Sequence, residues 1–277
     1  MRLTGGPRPS GRTLGRGLHI QAGTDVLPGT SGNASGRIAG GVVVTIEEAR
    51  AELAPRGAIR VGINLGNAAL ARSNPDRGGL EGLSVDIANA VGEKLGVPVE
   101  FVTYASAGKV YEAADRDEWD MCFLAIEASR KEKLQFSRSY FTIEATCLVP
   151  AASPLVDAHA IDIPDVRIVA ASGSAYELFL SGRLEHASVI RTANPGEAFT
   201  LFSTQGLEAL AGIRPTLEGI ARANDAYRVL TGSFLVIDQG VAVRRGNVAA
   251  AEVIQDVLSE RFAHDGDAST VGSSRSV

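Results

Sequence analysis

The sequence predicts an α/β protein of two lobes. Strand-like and helix-like segments alternate along the chain, and the alternation restarts after a proline-marked break near residue 150. A length of 277 residues has room for two such units, and 45% apolar with 21% charged residues fits an ordinary globular protein.

Thr45-Ile46-Glu47-Glu48 has the form of a capping box and opens a helix over Ile46 to Leu53, ended by Pro55-Arg56-Gly57. Ala58 to Ile63 alternates and is β-branched, a strand. Asn64 to Gly82 is polar and glycine-dotted, with a turn at Asn74-Pro75-Asp76. Leu83 to Gly96 reads as a helix with Gly96 as its C-cap, since apolar positions 87, 88, 91 and 95 fall near helical spacing. Val97 to Tyr104 is a strand, Lys109 to Asp117 a helix and Trp119 to Ile126 a continuous buried strand. This order is the signature of a parallel sheet. After Pro150, Pro154 and Pro164 come strands at Val166–Ala171, Ala187–Ile190, Glu208–Ile213 and Tyr227–Leu230. Helices at Ser174–Leu184, Gly196–Ser203 and Pro215–Asn224 alternate with them. A strand over Phe234–Val243 and an amphipathic helix over Val248–Phe262 close the pattern.

Met1 to Gly40 is rich in Gly, Pro, Ser and Arg, with a basic start and no apolar h-region. It does not read as a secretory signal, but as a disordered extension or a start placed too early. The net charge of -5 argues against nucleic-acid binding. Cys122 and Cys147 lie in apolar runs and read as small buried hydrophobes; a disulfide requires their strands to lie side by side. Four scattered histidines give no metal-ligand spacing, and no cofactor is implied.

Open α/β sheets hold ligands at the carboxyl ends of their strands, which singles out the loops Asn64–Asn67, Tyr104–Lys109, Ala125–Arg130 and Ser172–Ala175. Ser172-Gly173-Ser174 opens a helix and offers backbone N–H groups to an anion, although Ser174 as a plain N-cap explains it equally. Arg130 can clamp a carboxylate, or pair at the surface with Glu127 or Glu132. Arg214 also follows a strand, and Asn64 and Asn67 offer amides or serve only as turn residues. No Walker A loop, dinucleotide loop, G-x-S-x-G elbow or spaced carboxylate pair is present. The residues therefore favour a binding protein over an enzyme.

Several stretches, in order, resemble one family. Ile59-Arg60-Val61-Gly62-Ile63 is similar to its opening strand, and Gly82-Leu83-Ser84-Val85-Asp86-Ile87 to its G-[FL]-x-V-D-[IL] segment. Trp119-Asp120 is followed by Ser129-Arg130-Lys131-Glu132-Lys133 and Phe136-Ser137-x-x-Tyr140, which resemble [ST]-x-x-R-x-x-x-[VI]-x-F-S-x-P-Y. From Ala58 to about Phe262 the chain thus resembles the extracellular solute-binding proteins of family 3, the amino-acid receptors of ABC importers. The resemblance implies a type II periplasmic-binding-protein fold with two strands crossing between the lobes, near Cys147–Ala151 and Gly232–Ile237. Lobe 1 would be 45–148 with 237–277, lobe 2 149–236, and 1–44 an extension.

It further implies a monomer in the periplasm that closes on a small carboxylate-bearing solute and delivers it to a membrane permease, with no nucleic acid and no catalysis. Arg130 matches the arginine that holds the ligand carboxylate, Ser172-Gly173-Ser174 the second lobe's carboxylate loop, and Ala125 a backbone contact. Departures are present. Asn67 and about Ala107 stand where stacking aromatics are usual, and Ala211 to Pro215 replaces the acid that pairs an α-ammonium. Arg214 there would set two arginines in one cleft, suiting two anionic ends or a carboxylate without an amine. The alternatives are a cyclohexadienyl or arogenate dehydratase, for which Glu177 stands one position late, and a stand-alone cytoplasmic ligand sensor.

Overall fold

The capping box at Thr45 closes in both directions: its hydroxyl accepts from the Glu48 amide at 3.2 Å, and its own amide donates to the Glu48 carboxylate at 2.8 Å. It starts helix α1, Ile46–Leu53, the first helix of a computed structural model that describes residues 37–39, 42–75 and 78–263. Before it lie two short antiparallel strands, β1 (Arg37–Ala39) and β2 (Val42–Val44). Most of the expected N-terminal extension falls outside the described residues.

The first unit continues with β3 (Ile59–Asn64), a hairpin of β4 (Arg72–Ser73) and β5 (Leu80–Glu81), and α2 (Leu83–Leu95). Then come β6 (Val99–Tyr104), α3 (Ala107–Ala113), β7 (Met121–Ala125) and β8 (Leu134–Phe136). The long strand β9 (Phe141–Pro150) leads to the second unit: β10 (Arg167–Ala171), α4 (Ala175–Arg183), β11 (Ser188–Thr192) and α5 (Pro195–Gln205). It goes on through β12 (Ala209–Ile213), α6 (Arg214–Ala223) and β13 (Tyr227–Val229). A second long strand, β14 (Leu235–Arg244), and α7 (Val248–Phe262) complete the fold.

The strands run β11-β10-β12-β9-β14-β7-β3-β6 across one sheet. This order builds each lobe alike. β6, β3 and β7 are parallel, and β14 closes them antiparallel beside β7. β11, β10 and β12 are parallel, and β9 closes them antiparallel beside β12. The sheet is therefore mixed, because the two long strands must run both ways between the lobes. β9 and β14 pair along Phe141–Ala145 and Leu235–Gln239. The crossing in β9 thus lies a few residues before Cys147, and that in β14 extends two residues past Ile237.

One large buried cluster runs through both lobes, from Ile59 and Ile87 to Ile168 and Ala211, and a smaller one backs each lobe: Val110, Trp119, Cys122 and Leu124 in the first, Val169, Phe202, Leu210 and Leu217 in the second. Trp119 is wholly buried and its indole N–H donates to the Val110 carbonyl at 2.9 Å. Truncating it to alanine would cost about 3–5 kcal/mol. Asp120, 2% exposed, accepts from the Arg60 amide and guanidinium and so pins the start of β7 to β3. The final helix α7 packs on α1 and α2, which returns the chain to the first lobe. The Glu52 carboxylate caps the first turn of α7 through the Ala250 amide. Cys122 and Cys147 are both free and buried; β14 lies between their strands, so the side-by-side condition for a disulfide is not met.

Candidate functional site

A cavity of about 80 Å³ lies where the carboxyl ends of β3, β7, β10 and β12 converge. The parallel strands of both lobes present those ends to each other, and helices start immediately after them. The wall accordingly carries strand-end residues (Asn64, Ala125, Ala171, Ile213) and residues that open helices: Ser84 of α2, Ser106 and Ala107 at α3, Ala175 and Tyr176 of α4, and Thr216 of α6. Most of the remaining wall is apolar.

Arg130 is brought there by a 3-10 turn, Arg130–Glu132, that follows β7 after a short loop. Its side chain folds inward and is 1% exposed. One guanidinium nitrogen donates to the Ala125 carbonyl at 3.1 Å and another reaches across to the Gly173 carbonyl of the second lobe at 2.7 Å. Both acceptors are neutral. The expected surface pairing with Glu127 or Glu132 is absent among the described ion pairs; Glu127 accepts the Arg130 backbone amide through its carbonyl instead. Burial pushes the Arg130 guanidinium below its ordinary pKa and Glu127 opposes this. A guanidinium remains charged through such a shift. Burial raises the Glu127 carboxyl, with Arg130 partly offsetting it.

Ser174 is the N-cap of α4. Its hydroxyl accepts from the Glu177 amide at 3.2 Å and donates to the Ala171 carbonyl at 2.7 Å, so capping accounts for it, while its position on the wall remains. The first-turn amides of α4, Ala175 and Tyr176, lie beyond reach of any helical carbonyl. Burial pushes the Tyr176 phenol up to about 12. Gly173 contributes its carbonyl to Arg130 and its amide to Glu177, and Ser172 is exposed, outside the wall.

Asn64 turns its Oδ1 onto the Gly66 amide at 2.9 Å, holding the loop. Asn67 is on the wall, and its Oδ1 is buried with no hydrogen-bond partner. Arg214 is not on the wall. It turns to Glu144 at 2.5 Å and to the Gly232 carbonyl, tying α6 to the crossing strand and the segment before β14. The expected pair of cleft arginines is therefore a single arginine, because the first residue of α6 points back along the helix toward β9.

Ser106 lies in the expected ligand loop Tyr104–Lys109, whereas the sequence does not single out Ser84, Tyr176, Thr216 and Gln239, although all but Gln239 open a helix after a strand or loop. Gln239, 6% exposed, sits within β14, where the sole signal is an amide interrupting an apolar strand. Glu177 is 3% exposed but faces away: it takes the Gly173 amide, the Ser181 hydroxyl and the Arg191 guanidinium. Burial alone would raise its carboxyl, yet these bonds hold it below the ordinary range. Among the described residues, no group of three or more His, Cys, Asp or Glu is placed to hold a metal ion.

Two α/β lobes joined by paired crossing strands, enclosing a small cavity with one buried cation, define a cleft-type solute-binding protein. Residues 59–267 match the family model of bacterial extracellular solute-binding proteins, family 3, and the chain belongs to that family. It is 26% identical over 192 residues to the ABC transporter glutamine-binding protein GlnH of Bacillus subtilis, spanning 68% of this chain and 70% of that protein. Among solved structures it resembles holo ArgBP from T. maritima, with a TM-score of 0.68 and 21% identity over 76% of this chain and 92% of that one. It also resembles the ancestral amino acid-binding protein AncCDT-1, a precursor of cyclohexadienyl dehydratase, with a TM-score of 0.66 and 26% identity over 80% and 95%.

Proposed function

We propose that this protein is the solute-binding component of an ABC importer, and that it closes its lobes on a small solute whose carboxylate is gripped by Arg130. The observation that carries the reading is the buried Arg130 guanidinium, set on the cavity wall with only two carbonyls for partners. A buried cation without a counter-charge is costly, and a ligand carboxylate supplies that charge. Ala175 and Tyr176, in the first turn of α4, line the same space and add the positive end of a helix to it. Asn64, Asn67, Ala125 and Ser174 complete the wall around it, with Gly173 as the cross-lobe acceptor.

An importer component works outside the membrane it serves, so a periplasmic monomer docking on a permease is the matching assignment. No helix among the described residues is long and apolar enough to cross a membrane itself. A dehydratase reading would need an acid in the cavity, and Glu177, the candidate, spends its carboxylate on Gly173, Ser181 and Arg191.

Titration calorimetry of amino and organic acids against the protein and its Arg130→Met variant tests the reading. Binding with a Kd in the micromolar range or below, lost in the variant, is expected. A ligand bound equally well by both would remove Arg130 from the site.

A further inference from the structure

We propose that Gln239 sets the specificity of the cavity: its side-chain carboxamide reads an uncharged hydroxyl or amide that lies a few atoms from the carboxylate of a short ligand. The inference rests on Arg130 as the carboxylate grip and adds what holds the other end of the ligand.

Gln239 stands on the cavity wall and is 6% exposed. Its backbone is committed to the sheet, where its carbonyl accepts the Tyr140 amide at 2.9 Å. Its side chain makes no hydrogen bond to any described residue. A polar side chain buried this deeply normally has a partner, because losing water without one is costly. Among the described residues, Asn67 Oδ1 is the one fully covered side-chain oxygen or nitrogen that lacks a partner, and it is closed to a ligand. The Gln239 carboxamide is therefore unpartnered yet still accessible, and the surface it keeps lies on the cavity. The Ser84 hydroxyl, on the same wall, is already engaged with the Tyr140 hydroxyl at 3.2 Å.

The sheet register sets this amide beside the grip. Gln239 is the cross-strand partner of Ala125, whose carbonyl holds the Arg130 guanidinium. Such partners lie about 4.5–5.5 Å apart, so a group that meets Gln239 is only a few atoms from a carboxylate on Arg130. The cavity of about 80 Å³ sets the same limit. At the roughly 10–15 Å³ that one water needs, it has room for about five to eight non-hydrogen groups. Ile237 and Phe123, two residues along β14 and β7 on the same wall, are apolar and do not compete for the bond. A carboxamide both donates and accepts and carries no net charge. It complements a hydroxyl or an amide, whereas a methyl group leaves it unsatisfied and a full charge is not neutralised by it. Ser106 is also buried on the wall and its hydroxyl makes no cap bond, but it follows β6, beyond β7 and β3 from Gln239, and so provides a control.

Matched acids in which a methyl replaces a terminal hydroxyl test this: 3-hydroxypropanoate against butanoate, and L-serine against L-2-aminobutanoate. None exceeds about seven non-hydrogen atoms, within the room available. Calorimetry on the wild-type chain is expected to show the hydroxyl member of at least one pair binding about fivefold or more tightly than its methyl partner. Gln239→Met, close to glutamine in size, is expected to bring that ratio within about twofold, whereas Ser106→Ala keeps it. If neither hydroxyl member binds more tightly than its methyl partner, the inference is overturned, while loss of binding in Arg130→Met leaves the carboxylate grip standing. A preference that survives in Gln239→Met also overturns it, as does one lost equally in Ser106→Ala. If none of the four acids binds up to millimolar concentration, both readings fall. The wild-type ranking does not depend on whether any variant folds.

Discussion

One glycine from each lobe meets the other at the rim of the cavity, and this contact gives a direct way to test closure. A Cβ built on Gly108 would stand 2.8 Å from the Ser172 carbonyl oxygen and 3.3 Å from the Gly173 Cα. Both are backbone atoms of the second lobe, so no side-chain rotation relieves the overlap. Gly108 lies inside α3 and has an ordinary helical φ, so alanine there suits the first lobe by itself and favours the helix by up to about 1 kcal/mol. Gly173 is the poorer probe, because its φ of 69° would add backbone strain to the clash. In Gly108→Ala the penalty therefore falls on the closed arrangement of the lobes. Overpacking of this kind costs about 1–3 kcal/mol, which weakens binding about 5- to 150-fold if affinity depends on closure. Calorimetry with a bound acid gives the affinity, and urea unfolding without added ligand gives the stability of the protein. The expected result is weaker binding with unchanged or slightly raised stability. Affinity within twofold of wild type would show that binding does not require these lobes to meet. A large loss of stability with no change in affinity would place the contact in the resting protein instead.

Other outcomes follow from single contacts. Thr216→Asp sets a carboxylate in the first turn of α6 on the cavity wall, where the helix dipole favours it; calorimetry should show amino acids gaining at least about tenfold over the matching hydroxy acids. Arg214→Ala should change ligand affinity less than about threefold, since the side chain holds Glu144 and Gly232 rather than the cavity, but it should lower stability in urea by about 1 kcal/mol. The Arg167 guanidinium and amide pull the Glu208 carboxyl to about 2. Its folded pKa lies below the unfolded value, so its stabilisation is present above roughly pH 4.5 and is lost as pH falls toward 2. Both partners are about a third exposed or more, so solvent screening limits the effect to about 1 kcal/mol. Urea titrations of Glu208→Gln should show that deficit at pH 7 and little of it at pH 2; equal curves at both would rule the pair out as a stabiliser.

The fold was more legible than the site because its signals are local. The Thr45 cap, the Gly96 C-cap and the apolar run of β7 each act within one turn or strand, and each lies where its own residues demand. The expected helix from Lys109 instead begins at Ala107 behind Ser106, and breaks into a 3-10 turn at Ala114 before reaching Asp117. The two arginines show the limit at the site. Arg130 and Arg214 each follow a strand and precede a turn, so the local pattern treats them alike. What separates them is distant: Glu144 draws Arg214 toward β9, whereas small Ala128 and Ser129 precede Arg130, which turns inward to the Gly173 carbonyl 43 residues away. Asn67 is harder still, since an unpaired buried oxygen has no mark in sequence.

The partners of Arg130 also bear on why closure and binding would be one event. The guanidinium bridges Ala125 of the first lobe and Gly173 of the second, so it belongs to the contact between the lobes as well as to the cavity. Carbonyl oxygens take one hydrogen bond from each of two of its nitrogens without neutralising it, and bringing the lobes together would remove it from water. Glu127 offsets this in part but makes no ion pair with it, so closure by itself would concentrate a poorly compensated charge, at a cost that grows as the cavity becomes less wet. A carboxylate held as proposed would cancel that cost only in the closed arrangement, where the same arginine and the first turn of α4 would reach it together. A neutral solute of equal size would fill the apolar wall without supplying the charge. Closure would then depend on the anionic group, and the hydrocarbon body would set which anion is retained.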